Sequence, residues 1–220
     1  MKNSIFRISA GIALLSIPTT AYAHHPLAGA PMETFAHGLL SGIGHPLLGF
    51  DHLFFVLAVG IAAATIVRRF VAPAAYVGAM LLGCFVMSIG IGLPAKELVI
   101  SVSLVVAGAA LIRGRVLGTL PAALVFSVFG LFHGSAFGDA IAAQEASVGA
   151  HVLIGYLIGL GAIQYAIIVG VSWLVTGLMK AVEANDVRIR VAGGMVVGAG
   201  VFLVLENVEG MVFAIFGIGS

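Results

Sequence analysis

The sequence predicts an all-α membrane protein, a bundle of about six transmembrane helices that follows a cleavable signal peptide. Three observations predict this fold class. Hydrophobic residues make up 61% of the 220 residues and charged residues only 9%, whereas a soluble domain has about 25% charged residues. Apolar runs of membrane-spanning length recur along the chain. The basic residues between these runs alternate in the way that is typical of multi-pass membrane proteins.

The first 23 residues have the three parts of a secretory signal peptide. Lys2 and Arg7 form a positive amino-terminal region, an apolar stretch follows, and Ala23 ends a small-x-small cleavage site. The apolar stretch is short for a hydrocarbon layer of about 30 Å, although a first transmembrane helix is the alternative. Cleavage after Ala23 would leave His24 at the mature amino terminus, outside the cytoplasm.

Apolar segments of spanning length follow residue 44. The predicted helices are His45–Val67, Ala74–Leu93, Leu98–Ile112, Val116–Phe132, His151–Met179 and Val191–Leu205. They form one predicted transmembrane domain, residues 45–220, and an external segment with histidines, residues 24–44, precedes it. Residues 133–149 are neither clearly apolar nor clearly polar, so they either extend the fourth helix or form a re-entrant segment.

The basic residues predict which loops face the cytoplasm. If the mature amino terminus is outside, the loops after the first, third and fifth helices are cytoplasmic. These loops hold seven basic residues, whereas the external segments hold only Lys96. This asymmetry is the positive-inside pattern, and it predicts that both termini are external. The seven residues are Arg68, Arg69, Arg113, Arg115, Lys180, Arg188 and Arg190.

The most informative polar cluster is the run HPLLGFDH, residues 45–52, at the start of the first predicted helix. Imidazole and carboxylate groups suit divalent first-row metal ions. In a straight helix, His45 and His52 would stand about 10 Å apart along the axis, too far for one ion. Either Pro46 and Gly49 break the helix, or the two histidines belong to successive sites. Asp51 could bind metal directly or orient an imidazole, and the alternatives are interfacial residues or a buried structural pair.

A second polar cluster is the run FHGSAFGD, residues 132–139. The predicted topology places it at the external end of the fourth helix, level with the first cluster. Because the two clusters share this depth, we expect His133 and Asp139 to face the first cluster. The alternative is a loop at the end of the helix with incidental polar residues.

These residues resemble the signatures of a known family. The run His45-Pro46-x-x-Gly49-x-Asp51-His52 resembles the first signature of the HupE/UreJ family of nickel permeases, and Phe132-His133-Gly134-x-Ala136 resembles the start of the second. The signal peptide, the length and the helix number are also similar. The resemblance implies Ni²⁺ uptake for hydrogenase or urease maturation, across a bacterial inner membrane, with a periplasmic mature amino terminus. The metal-site residues that it implies are His45, Asp51, His52, His133 and Asp139.

The second signature departs from the family pattern. Members usually continue it with a histidine and then a glutamate, whereas this chain has Phe137 and Asp139. Asp139 keeps a carboxylate, but Phe137 removes a potential ligand. This departure bears on the identity of the metal more than on the fold. The histidines before the first helix, His24, His25 and His37, are secondary candidates for metal capture, or they belong to a solvated tail.

The sequence favours a secondary transporter for a divalent transition metal, Ni²⁺ first and Co²⁺ second, because both ions accept imidazole and carboxylate. It has no phosphate-binding G-x-x-x-x-G-K-[ST] motif, no G-x-S-x-G and no H-E-x-x-H, so neither ATP-driven pumping nor an enzyme is expected. The alternative is a non-transporting membrane protein that holds metal or scaffolds a complex. We expect no permanently bound cofactor. The expected partners are the lipid bilayer, the metal ion and cytoplasmic nickel chaperones, and not nucleic acid.

Overall fold

The structure is a computed structural model that describes residues 31–115, 118–142, 148–181 and 183–217. The predicted signal peptide, residues 1–23, and the candidates His24 and His25 lie outside the described residues. In the described ranges the chain forms seven α-helices and no strand. They are α1 (Phe35–Leu48), α2 (Phe50–Thr65), α3 (Val71–Ser88), α4 (Lys96–Arg113), α5 (Thr119–Ala142), α6 (Ala150–Trp173) and α7 (Val187–Phe216), and a π-helical turn (Leu174–Leu178) extends α6.

The helices confirm the predicted all-α membrane fold, with fewer clear spans than predicted. Among the described residues, four helices are long and apolar enough to cross a membrane, namely α3, α5, α6 with its extension, and α7. The pair α1 and α2 is a fifth span if the two count as one, but they are bent by 81° at their junction. Helix α4 has 18 residues with Lys96 and Glu97 in its first turn and Arg113 in its last. Helix α4 is not among the four because of these charges at its two ends; its interior is apolar, as in the four spans.

The first predicted helix, His45–Val67, is wrong as a single element, because the chain forms two helices there. Helix α1 already begins at Phe35, since the Thr34 side chain caps it by accepting the His37 backbone N–H at 3.1 Å. It ends at Leu48, because Gly49 adopts an extended conformation with φ −87° and ψ 100°. The sequence left open whether Pro46 and Gly49 break the helix. The structure shows a break at Gly49, whereas Pro46 lies inside α1.

Two other predicted helices end too early. Helix α5 continues through His133 to Ala142, so the first ten residues of the ambiguous segment 133–149 extend the fourth predicted helix. Helix α7 runs to Phe216 rather than ending at Leu205. Its sequence becomes apolar again after a short polar stretch, so one helix can continue through that stretch.

The helices pack in neighbouring pairs, α3 with α5, α1 with α6, and α4 with α7, while α2 lies among α4, α6 and α7. Glycines permit the closest approaches. A Cβ atom on Gly134 of α5 would overlap the Met80 carbonyl oxygen of α3, and one on Gly42 of α1 would overlap the Tyr156 carbonyl oxygen of α6. Backbone contact of this kind is typical of membrane helices, which lack a hydrophobic driving force between them. It holds α1 against α6 and α5 against α3.

A buried histidine pair as the candidate functional site

Two histidines from distant parts of the chain meet inside the bundle. His52 lies in the first turn of α2 and His133 in the second half of α5, and their Nδ1 atoms are 2.8 Å apart. His133 has no exposed surface and His52 is only 6% exposed. The sequence predicted that the two polar clusters would face each other. The contact between these two residues confirms that prediction.

Ser103 of α4 extends the pair into a chain of three side chains. Its hydroxyl donates to the Ile100 carbonyl at 2.6 Å, and its Oγ lies 3.0 Å from His133 Nε2. When both imidazoles are neutral and the hydroxyl proton is on Ile100, Ser103 accepts the Nε2–H of His133, and His133 Nδ1 then accepts the Nδ1–H of His52. This hydrogen-bond pattern leaves Nε2 of His52 without a proton. A neutral imidazole with such a nitrogen is the form that binds transition metals.

The unprotonated nitrogen of His52 faces a carboxylate. Asp51 Oδ2 lies 3.8 Å from His52 Nε2, and the Asp51 side chain is 25% exposed. Asp51 also lines a pocket of about 500 Å³, together with Glu97 of α4 and with Glu206 and Asn207 of α7. The pocket thus brings together three carboxylates, those of Asp51, Glu97 and Glu206, and Asp51 is the lining residue that lies next to His52.

The bend at Gly49 brings Asp51 and His52 into this position. A Cβ atom on Gly49 would lie 3.0 Å from His52 Cδ2 and 3.3 Å from Asp51 Oδ1. These distances are tighter than most Cβ contacts in proteins. The absence of a side chain at residue 49 thus lets the chain turn by 81° while both functional side chains stay close to the bend.

The structure does not bring His45 to the pair. Its Nδ1 lies 2.8 Å from the Tyr156 hydroxyl, which donates to the Phe137 carbonyl at 3.0 Å. The ring of Phe137 contacts both histidines, with centroids 5.2 Å from His45 and 4.1 Å from His52. A buried apolar ring therefore fills the space next to both histidines, at the position where the family resemblance predicts a further imidazole.

The other predicted ligands have different partners. Asp139 forms an ion pair with Lys96 at 2.5 Å. His37 is half-buried at the start of α1, and its Nδ1 accepts the backbone N–H of Glu33 at 3.3 Å. In the described part of the chain, no group of three or more His, Cys, Asp or Glu side chains is arranged to hold a metal ion. The five predicted site residues thus divide into His52, His133 and the adjacent Asp51, which lie together, and His45 and Asp139, which do not.

Sequence reasoning missed three residues around the site. Ser103 and Tyr156 are single polar residues in apolar helices, and their partners are 30 and 111 positions away along the chain. No local pattern in the sequence indicates such contacts. Lys96 did carry a signal, because it is the single basic residue of the predicted external segments. Its exceptional place in the charge pattern is consistent with its role as the partner of Asp139.

Comparison with known proteins gives a match over most of the chain. A family model described as "HupE / UreJ protein" matches residues 12–203, which include both histidines of the pair. Protein HupE of Rhizobium leguminosarum bv. viciae is 30% identical over 207 residues, which cover 93% of this chain and 100% of that protein. No solved structure matches. The family resemblance that the two signatures predicted is thereby confirmed.

Proposed function

The chain belongs to the HupE / UreJ family, and from that premise we propose that it is a permease for a divalent transition metal. Ni²⁺ is the first candidate ion and Co²⁺ the second. The ion would enter through the carboxylate-lined pocket, bind at Asp51 and at His52, whose ring His133 orients, and pass to the cytoplasm, where it supplies hydrogenase or urease maturation. The proposal places the chain in a bacterial inner membrane with its mature amino terminus in the periplasm.

The buried His52–His133 pair is the observation that carries this proposal. Polar side chains are costly inside a membrane, so they are retained for a task or for a partner. The pair presents an unprotonated imidazole nitrogen beside the Asp51 carboxylate, and this combination of ligands suits Ni²⁺ and Co²⁺. The negative charge of Asp51 offsets the desolvation of a divalent cation.

The small number of ligands fits transport better than storage. A conducting site must bind its ion well enough to admit it and weakly enough to release it. One imidazole nitrogen and one carboxylate leave most coordination positions of the ion to water. A membrane potential of about 100 mV, negative inside, supplies a divalent cation with about 4.6 kcal/mol, twice the value for a single charge. Inward movement therefore needs no hydrolysis of ATP.

The test is ion flux through the purified chain in liposomes. With a potential that is negative inside, we expect uptake of Ni²⁺ or Co²⁺ to exceed uptake of Zn²⁺ and to exceed the leak of empty liposomes. Metal binding in detergent without any flux in liposomes would instead indicate a metal-holding accessory protein. Flux that is equal for all three ions and unaffected by His52→Ala would refute the proposed path.

A further inference from the structure

The start of helix α4 has features that are unfavourable for a helix. Lys96 places a positive charge in the first turn, where the helix dipole favours negative charge. The residue before it, Ala95, stands at the N-cap position and has no side chain that could cap the helix. Ala95 also has a left-handed backbone conformation, with φ 51° and ψ 32°, which residues other than glycine rarely adopt. Such a start persists only where contacts outside the helix hold it in place.

Contacts on both sides of Ala95 hold this segment against α5. The backbone N–H of Leu93 donates to Ser135 Oγ at 3.1 Å, and Ser135 has no exposed surface. One turn further along α5, Asp139 accepts the Lys96 ammonium, with both carboxylate oxygens 2.5 Å from Nζ. The Lys96 side chain is only 20% exposed, whereas most lysines lie on the surface. The pairing with Asp139 therefore compensates for an unfavourable helical position.

The ion pair adjoins the pocket that Asp51 lines. Glu97, the residue after Lys96, lines that pocket together with Asp51. The charge of Asp51 acts on Glu97, and so does the charge of each member of the ion pair. The pocket and the ion pair thus belong to one electrostatic neighbourhood. A free Asp139 carboxylate would add negative charge to this neighbourhood, and the Lys96 ammonium cancels that charge.

We propose that Lys96 sets the affinity and the selectivity of this pocket for the divalent cation by pairing with Asp139. The inference rests on the proposed function, since the ion in question is the one that the permease carries. With Lys96 in place, Asp139 adds no net charge, and the ion is held chiefly by Asp51 and His52. The ammonium also repels a second cation. Both effects keep binding weak, and a conducting site must bind its ion weakly enough to release it.

The number of available carboxylates bears on which ions bind. Carboxylate and water ligands suit hard ions such as Mg²⁺ and Ca²⁺, whereas imidazole suits Ni²⁺ and other late first-row ions. Asp51 presents one carboxylate beside the His52 imidazole. A free Asp139 would increase the attraction for every divalent cation without adding a nitrogen ligand. By neutralising Asp139, Lys96 favours the ions that gain most from the imidazole.

Lys96→Met removes the ammonium and leaves Asp139 free. We expect the purified full-length chain in detergent to bind Ni²⁺ about fivefold more tightly, a modest gain because solvent screens partly exposed charges. Mg²⁺ should compete with Ni²⁺ about tenfold more strongly than in the unsubstituted chain, because the added attraction is not specific for imidazole-binding ions. Lys96→Gln also removes the charge, and it decides the matter if Lys96→Met does not accumulate.

Further variants separate the effect of charge from that of packing. Lys96→Arg keeps the charge and can pair with a carboxylate, so it should return Ni²⁺ affinity to within about twofold of the unsubstituted value. Adding Asp139→Asn to Lys96→Met removes the freed carboxylate and should abolish the gain in affinity. Lys180→Met is the matched control, since Lys180 lies beyond the α6 extension and lines neither the pocket nor the ion pair.

The outcomes separate this inference from the proposed function. Unchanged Ni²⁺ affinity and unchanged Mg²⁺ competition in Lys96→Met and Lys96→Gln would overturn the role of Lys96 and leave the permease in place. A loss of folding or thermal stability without a gain in affinity would make the ion pair structural and would also overturn that role. An unsubstituted chain that binds Ni²⁺ but moves none would overturn the permease, whereas tighter binding in Lys96→Met would still support the role of Lys96. A lack of Ni²⁺ binding in every variant would overturn both.

Discussion

Phe137 and His52 pack ring against ring, with centroids 4.1 Å apart and planes inclined by 36°. The ring of Phe137 also meets the ring of His45 edge to face, with centroids 5.2 Å apart. An apolar ring thus contacts both histidines of the first signature, in a position that can be converted to a metal ligand by one substitution. This contact leads to the first prediction.

Phe137→His should tighten metal binding and slow release. A third imidazole beside His52 would add a nitrogen ligand to a site that now has few, and we expect Ni²⁺ affinity to rise about tenfold. Equilibrium binding and liposome flux measure the two effects separately. Phe137→Leu is the control, because it changes the packing without adding a ligand. Unchanged affinity in Phe137→His would show that residue 137 does not reach the ion.

His52→Ala should abolish uptake at a normal protein level. The substitution removes the unprotonated nitrogen that faces Asp51, and no other described side chain supplies that nitrogen at this position. We expect flux to fall by about a hundredfold or more, as for loss of an interaction of about 2.8 kcal/mol. His151→Ala is the matched control, since His151 is exposed and its Nε2 lies 3.1 Å from the Glu33 carbonyl oxygen, outside the histidine pair. A fully active, stable His52→Ala chain would make the pair structural.

Asp51→Asn should impair uptake more than Asp139→Asn does. Asparagine keeps the shape of Asp51 but removes the charge that offsets a divalent cation, so we expect about tenfold slower flux. Asp139 already has a cation, because Lys96 is paired with it at 2.5 Å. Neutralising Asp139 should mainly remove its ion pair with Lys96. Because that pair is partly exposed, it contributes about 1 kcal/mol or less to stability. The reverse order of effects would identify Asp139 as the ligand.

Lys96→Met should leave the fold intact and lower the melting temperature slightly. The Lys96–Asp139 pair joins the start of α4 to the end of α5, with side chains 20% and 43% exposed, and solvent screens such pairs. A double-substitution cycle with Asp139→Asn measures the coupling. A coupling energy well above about 1 kcal/mol would show that the pair is far less screened than its exposure indicates.

The membrane orientation predicted from the basic residues is independent of the site. Reporter fusions after Arg69, Arg115 and Arg188 should be cytoplasmic, and a fusion after Glu97 should be external. Paired reporters, one active inside and one active outside, serve as controls for each other. Activity of the external reporter after Arg115 would reverse the orientation, and the metal would then enter from the other side.

Composition, apolar runs and the pattern of basic residues were enough to predict the membrane fold and the approach of the two polar clusters, which the structure realises as the contact of His52 with His133. They could not predict the hydrogen bond between His45 and Tyr156 or the ion pair between Lys96 and Asp139, because these contacts join residues that are 111 and 43 positions apart. The start of α1 was missed for a similar reason. Glycine is unfavourable inside a helix. In the structure, however, Gly38 and Gly42 allow α1 to pack closely on α6.

For the same reason the sequence does not indicate that Gln164 of α6 is buried and accepts a hydrogen bond from the Tyr76 hydroxyl at 2.7 Å. One glutamine in a 24-residue apolar helix has no periodic pattern around it. Its partner Tyr76 is 88 positions away along the chain. Contacts of this kind follow from which helices become neighbours, and hydrophobic periodicity does not specify that when every helix is apolar on all sides.

The sharp bend at Gly49 also has a consequence for how the protein is made. Helices α1 and α2 have 14 and 16 residues, so they measure about 21 Å and 24 Å, and neither alone reaches across about 30 Å of hydrocarbon. The main neighbour of α1 is α6, which the ribosome synthesises more than a hundred codons afterwards. We therefore expect helix α1 to wait at the translocon or the bilayer surface until α6 emerges. Chains truncated before Ala150 should consequently leave this region open to protease, whereas chains that extend beyond Leu178 should protect it.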